Sequence, residues 1–383
     1  LHLQEWIFAP PSIRTRQEPT NDRRDSRSPV VSKDRYTKGR QVTTKDQTSA
    51  TGLSTTMSLD EIKAGVLKMA QPADQALADN LKSHVSYIEK VSDYIIFSGG
   101  KRLRPVLFML AAHAAGAKKP EPALASIFEF LHAATLLHDD VVDAAGLRRG
   151  RPAARTKYGN DAVILVGDFL FSKSYSLAAD TGIPSFVKAL TDCTTYMAEG
   201  QVLELLHTGD LKLDMEGYLE IIRAKTAVLL AASCQMGAIY AKADQDLIQA
   251  FYDYGMELGL AFQMVDDALD YVGTEHEFGK PVGHDLAEGK ITLPFIHVRD
   301  NAPKEASQRL LKLAELGKTQ PEVLEEAKSL VREHKGVEIT YKKATEHAIK
   351  AQDSLQAVLS TQKDNHHLGL LYSLAWYVLN RRA

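Results

Sequence analysis

From residue 57 onward, apolar residues return every three to four positions in long blocks, and alternating Val/Ile/Thr runs are scarce. A period near 3.6 places such residues on one helix face, so the blocks predict helices over 58–69, 74–97, 103–115, 121–143, 160–179, 184–207, 215–223 and 226–241. The same pattern continues over 245–272, 290–299, 304–316, 321–334, 338–360 and 366–381. Gly99-Gly100, Pro120, Gly182, Gly209, Gly279, Pro303 and Gly336 punctuate the blocks. The expected fold is all-α, one large helical-bundle domain over 57–383. No block repeats at a period of roughly 20 to 50 residues, which excludes a solenoid.

Residues 1–56 break this pattern. They are rich in Arg, Ser, Thr, Pro and Asp, and cannot bury enough surface to offset the entropy of ordering. They are expected to be a disordered or dispensable extension, with the folded part starting near Met57. Glu5, Glu18, Asp22, Asp25, Asp34 and Asp46 argue against an organelle transit peptide, which avoids acids.

Of the 383 residues, 44% are hydrophobic and 25% charged, ample material for a sizeable core. Residues 1–56 carry ten Lys/Arg against six Asp/Glu, whereas 57–383 carry 36 against 43. An acidic body disfavours nucleic-acid binding. The longest uncharged apolar-leaning stretches, 226–241 and 365–380, have 16 residues each, fewer than the roughly 18 to 20 a membrane span requires. No transmembrane helix is expected; a peripheral membrane contact through the final helix stays open, although core docking suits its Leu368, Leu371, Ala375 and Leu379 better. Cys193 and Cys234 lack a C-x-x-C partner and fit a reducing, cytoplasmic setting.

Chemistry concentrates in two clusters. Asp139, Asp140 and Asp143 stand at i, i+1 and i+4 in an apolar helix, and Asp266, Asp267 and Asp270 repeat that spacing 127 residues later. Carboxylates one turn apart repel each other, so each cluster calls for a cation, and oxygen-only ligands point to Mg²⁺. One cluster alone could be a solvated acidic helix end. Two inside apolar helices predict Mg²⁺ shared with a polyphosphate between them. Cations surround them in sequence: Lys101 and Arg104 after Gly99-Gly100, Arg148 and Arg149 after the first cluster, Lys225-Thr226, and Lys280 and Lys290 after the second. The helix start after the Gly pair offers backbone N–H groups to a diphosphate.

In chain order, GGKRLRP at 99–105, LLHDDVVD at 136–143, RRG at 148–150, KT at 225–226, FQMVDDALD at 262–270 and the run Gly279-Lys280 to Pro294 resemble the long-chain trans-type polyprenyl diphosphate synthases over about residues 60–383. The resemblance implies a homodimer of all-α subunits, each with a central cavity. Asp139, Asp140, Asp143, Asp266, Asp267 and Asp270 would hold Mg²⁺ and the allylic diphosphate, farnesyl or geranyl diphosphate. Arg148, Lys225, Thr226, Gln263 and Lys280 would support that diphosphate; Lys101, Arg104, His132 and Arg149 would seat isopentenyl diphosphate, with Lys290 nearby. His132 precedes Asp139 by two helical turns, so one helix reaches both substrates. The implied reaction is head-to-tail addition of C5 units, for quinone side chains.

Product length should be set on the helix before Asp139, where each turn advances about 5.4 Å, close to one isoprene unit. Thr135, Ala134 and Leu131 are the first gates, with Phe128 a candidate floor. Short-chain members of the resembled family commonly place an aromatic residue here or insert two residues in the first cluster; this chain does neither, implying a C30 to C50 product with C40 favoured. Two alternatives compete. A class I terpene cyclase would lack the Lys101, Arg104, His132 and Arg149 set, and an inactive isoprenoid-binding partner subunit would have lost some of these charges.

Overall fold

The computed structural model describes residues 57–272, 284–317, 320–362 and 364–380; the proposed extension 1–56 and Lys280 lie outside them. The described part opens with a capping box, in which Ser58 Oγ accepts from Glu61 N–H and the Glu61 carboxylate accepts from Ser58 N–H at 2.7 Å. Helix α1 then runs Leu59–Asn80, followed by α2 Ser86–Ile96, α3 Leu103–Ala114 and α4 Pro122–Val142. After it come a short hairpin, α5 Ala154–Tyr158, α6 Asn160–Ala179, α7 Pro184–His207 and α8 Met215–Ile222. A π-turn, Arg223–Ala227, leads without a break into α9 Val228–Tyr240, and α10 spans Gln245–Val272. The remainder is α11 His284–Ala287, α12 Leu293–Asn301, α13 Lys304–Gly317, α14 Leu324–Glu333, α15 Gly336–Thr361 and α16 His366–Asn380.

Helices apolar on every side must be covered on every side. In α4 the buried residues run Leu124 to Leu131 without interruption, and α9 is buried along most of its length. These two stand inside the bundle, α4 against α6 and α1, and α9 between α3 and α10. Close approach of α10 requires glycine: a Cβ on Gly255 would lie 2.6 Å from Ala231 Cα, and one on Gly259 2.5 Å from Ala227 Cα. The π-turn is thereby pressed against α10, in register with the second aspartate cluster. Three apolar clusters result, one around α3, α7, α9 and α10, one around α8 and α12 to α14, and one joining α2, α4 and α6.

Several boundaries differ from the sequence expectation. The break anticipated at 70–73 does not occur, because α1 continues through Pro72 and buries Met69, Ala70, Ala73 and Leu77 as one stripe. Proline forfeits one backbone hydrogen bond, and this stripe offsets the loss. The chain turns instead at 81–85, where Glu89 accepts from Ser83 N–H at 2.7 Å. No break separates 223 from 226. A two-residue hairpin that periodicity cannot detect pairs Leu147–Arg148 with Arg151–Pro152. Its corner, Arg149 (φ 52°) and Gly150 (φ 71°), has both residues left-handed, as a type I′ turn demands. One helix, Asn160–Ala179, is long and apolar enough by composition to cross a membrane, a possibility the charge-free stretches did not flag; it packs along α4.

Candidate active site

The C-terminal end of α4 delivers the first cluster. Asp140 is fully buried, and the Arg148 guanidinium at the foot of the hairpin donates to its Oδ1 through Nε at 2.7 Å, with the second amino nitrogen at 2.6 Å. Its Oδ2 has no hydrogen-bond partner. Asp139 and Asp143, one turn apart, meet lysines from elsewhere in the chain. Lys225 Nζ, on the π-turn, lies 3.7 Å from Asp139 Oδ2 and forms a tight ion pair with Glu204 of α7. Lys290 Nζ lies 3.1 Å from Asp143 Oδ2 and 2.7 Å from Glu288 Oε2. Burial raises the Asp139 carboxyl above its ordinary range, opposed by Lys225 and reinforced by Glu204 and Asp143. Burial alone would discharge Lys290, but Glu204, Glu288 and Asp143 hold its ammonium above the usual lysine range.

On α10, Asp267 is locked from both sides. Tyr218 of α8 donates its hydroxyl to Oδ2 at 2.6 Å, and Gln263 donates to Oδ1 at 2.7 Å. Thr226 in turn donates to Gln263 Oε1 at 2.9 Å, linking the π-turn to this motif. Burial pushes Asp267 up to about 7, against those hydrogen bonds and with Asp266 and Asp270 adding to the rise. Asp285 N–H reaches Asp270 Oδ2 at 3.2 Å, and burial beside Asp270 and Asp267 drives the Asp285 carboxyl well up. A cavity of about 220 Å³ opens beside the second motif, lined by Glu204, Lys225, Gln263, Asp267, Asp285 and Lys290 among others, and the two lysines on its wall connect it to Asp139 and Asp143.

Beside it lies a cationic quarter. Arg149 donates to Ser98 Oγ at 3.3 Å and to the Gly99 carbonyl, so the hairpin corner is latched to the turn carrying Lys101. Arg102 in that turn is left-handed (φ 49°), and α3 starts after it with no side-chain cap. The first-turn N–H groups are therefore available to an anion, as the sequence led one to expect. Arg104 keeps a buried Nε–H without a hydrogen-bond partner. Burial holds His132 well below the usual imidazole range, and Arg104, Arg149, Arg148 and Arg102 add to the depression, so it is neutral near pH 7. Of the expected substrate set, Lys225, Thr226, Gln263 and Lys290 line the cavity, Arg148 pairs with Asp140, and Arg104 and Arg149 act on His132. Three of the four length candidates on α4 fall in two apolar clusters. Phe128 and Leu131 lie in the cluster with α3 and α7, and Ala134 in the cluster with α2 and α6. Thr135 Oγ1 donates to the His132 carbonyl at 2.9 Å.

Sequence reasoning passed over Glu204, Tyr218, Asp285 and Glu288. Glu204 carried a weak signal as one acid in the apolar run Val202–Leu206; Asp285 and Glu288 sat unremarked inside a quoted motif. Among the described residues no three carboxylate or imidazole groups converge as a metal-binding set; lysine ammonium groups sit between them instead. The donor chemistry nonetheless fits hard divalent cations: Asp139, Asp143, Glu204 and Glu288 share two lysines, and Asp140 Oδ2 is unsatisfied.

Fold and site define an all-α protein with two carboxylate-bearing helices and a cationic quarter alongside. The polyprenyl synthetase family model matches residues 85–331. Octaprenyl diphosphate synthase of Haemophilus influenzae is 36% identical over 326 residues, 85% of this chain and 98% of that protein. A decaprenyl diphosphate synthase structure from Rhodobacter capsulatus superimposes with a TM-score of 0.76 at 37% identity, covering 85% of this chain and 99% of its own. A polyprenyl synthase from Caulobacter crescentus, solved with calcium and isoprenyl diphosphate, gives the same TM-score and identity over 85% and 98%. The chain belongs to the polyprenyl synthetase family. It is a prenyltransferase of long-chain trans-polyprenyl diphosphate synthesis.

Proposed function

We propose that the chain condenses isopentenyl diphosphate repeatedly onto farnesyl or geranyl diphosphate, giving a C30 to C50 product, C40 favoured, for a quinone side chain. The observation that supports this reading is that Lys225 and Lys290, which line one cavity with Asp267 and Asp285, pair with Asp139 and Asp143 of the first cluster, while Arg104 and Arg149 surround His132. Asp139, Asp143, Asp266 and Asp270 would hold Mg²⁺, while Asp140 and Asp267 complete each cluster through Arg148, Tyr218 and Gln263. Bound Mg²⁺ supplies charge neutralisation for the leaving diphosphate. Lys225, Lys290 and Arg148, with Lys280 from outside the described residues, hold that diphosphate as the allylic C–O bond breaks and the electron pair departs with it. Lys101, Arg104, Arg149 and neutral His132 hold the isopentenyl diphosphate so that its double bond forms the new C–C bond. A proton then passes from the adjacent carbon to the departed diphosphate. The apolar surroundings keep water from the cation.

The same proposal includes a homodimer and a cytoplasmic site of action. Leu165 on α6 and Leu206 on α7 are 67% and 71% exposed, an apolar face suited to a second copy; both cysteines are free and buried. Chromatography of dephosphorylated products from farnesyl diphosphate, isopentenyl diphosphate and Mg²⁺ tests the length. A series ending between C30 and C50 supports it, and a stop at C15 or C20 refutes it.

A further inference from the structure

Glu129 and Arg102 are buried charges that the condensation chemistry does not use. Arg102 Nη1 lies 2.7 Å from Glu129 Oε1 on α4, and its Nε lies 2.6 Å from Asp74 Oδ1 on α1. Glu129 is 7% exposed and Arg102 8%. Arg102 occupies the left-handed region that side-chain-bearing residues avoid, and its two ion pairs, with the Arg149 latch on Ser98 and Gly99, offset that cost. That turn carries Lys101 on one side and Arg104 on the other. Glu129 precedes His132 by one helical turn and is the carboxylate that most supports the charge on half-buried Arg104 and Arg149.

We propose that Glu129 is a positioning residue for the isopentenyl diphosphate seat, acting through Arg102 to fix the turn that aims Lys101 and Arg104 beside His132. It touches no substrate. This rests on the reading of that seat given above. Removing one partner of a buried pair leaves an uncompensated charge and frees the turn, so the loss falls on the substrate held there. The allylic diphosphate is held on the far side, by Lys225 and Lys290, and keeps its seat.

The test compares wild type, Glu129→Gln, Arg102→Gly and the double variant, measuring KM for each substrate at saturating partner, kcat and the thermal midpoint. Glycine suits the left-handed position, so Arg102→Gly removes the ion pair without adding backbone strain. The double variant leaves neither member of the pair unmatched, which keeps a folded comparison available. Each single variant is expected to raise KM for isopentenyl diphosphate by about tenfold, with kcat and the allylic KM changed less than about twofold. The double variant should match either single one instead of multiplying their effects. A parallel rise of both KM values, or a fall in kcat, would show a general structural role and overturn the proposal. A lowered KM for isopentenyl diphosphate would also overturn it, by showing that Glu129 only subtracts positive charge. Unchanged variants beside a saturable wild type overturn this proposal alone; a wild type with no isopentenyl saturation overturns the seat itself.

Discussion

Asp139 and Asp143 contact lysine ammonium groups, whereas their neighbour Asp140 is sealed against Arg148; the difference within one motif follows from the helix. Positions i and i+4 share a face, and i+1 turns about 100° away toward the packed interior. Asp139→Ala and Asp266→Ala should each lower turnover by roughly 10²-fold or more, the scale of a lost transition-state contact. Near wild-type turnover in both, with circular dichroism unchanged, would refute their roles. Local spacing made these aspartates legible in the sequence. Tyr218 and Glu204 were not, because Tyr218 reaches Asp267 across 49 residues and Glu204 reaches Lys225 across 21, contacts that only packing creates. The gate is a residue-scale prediction as well. Ala134 is fully buried, and Ala134→Tyr adds a ring there at an overpacking cost of about 1–3 kcal/mol. Products should shorten to about C15 to C20 while the first condensation survives, since each turn of about 5.4 Å passes one isoprene unit. An unchanged long product would place the tunnel elsewhere.

At the scale of elements, α16 docks through an unusual contact: the His367 ring stacks on His113 of α3, centroids 4.4 Å apart. Burial, then the neighbouring His113, His366 and Lys68, lower His367 to about 4 from an ordinary value near 6.5. Between those values the unfolded chain binds more protons than the folded one, so stability falls as the pH drops from about 6.5 toward 4. The thermal midpoint of His367→Gln should therefore lose less than wild type between pH 7 and pH 4.5, in a comparison by calorimetry. Parallel losses would show that the stack does not titrate as described. Element type followed from periodicity because most helices here bury a continuous stripe. Boundaries failed where a tertiary contact outweighed a local signal, as at Pro72, and where an element was shorter than any period, as in the Arg148–Arg149 hairpin. That the helix through Lys225 widens into a π-turn was invisible to periodicity as well: it packs where Ala227 approaches Gly259 of α10.

For the whole molecule, the exposed apolar face of α6 and α7 predicts self-association. Leu165→Asp should convert a dimer to a monomer, halving the mass seen by sedimentation equilibrium, and an unaltered dimer would move the interface elsewhere. On the proposed reading the two anion seats share α4, with His132 two turns before Asp139, so ionisation at one and attack from the other would occur within a single frame. That coupling predicts a strict stoichiometry. Full-length protein supplied with farnesyl diphosphate, labelled isopentenyl diphosphate and Mg²⁺ should release one diphosphate for every C5 unit that appears in a homologous polyprenyl series. Diphosphate release without isopentenyl incorporation, leaving farnesol or a cyclic hydrocarbon as the product, would contradict condensation at this site.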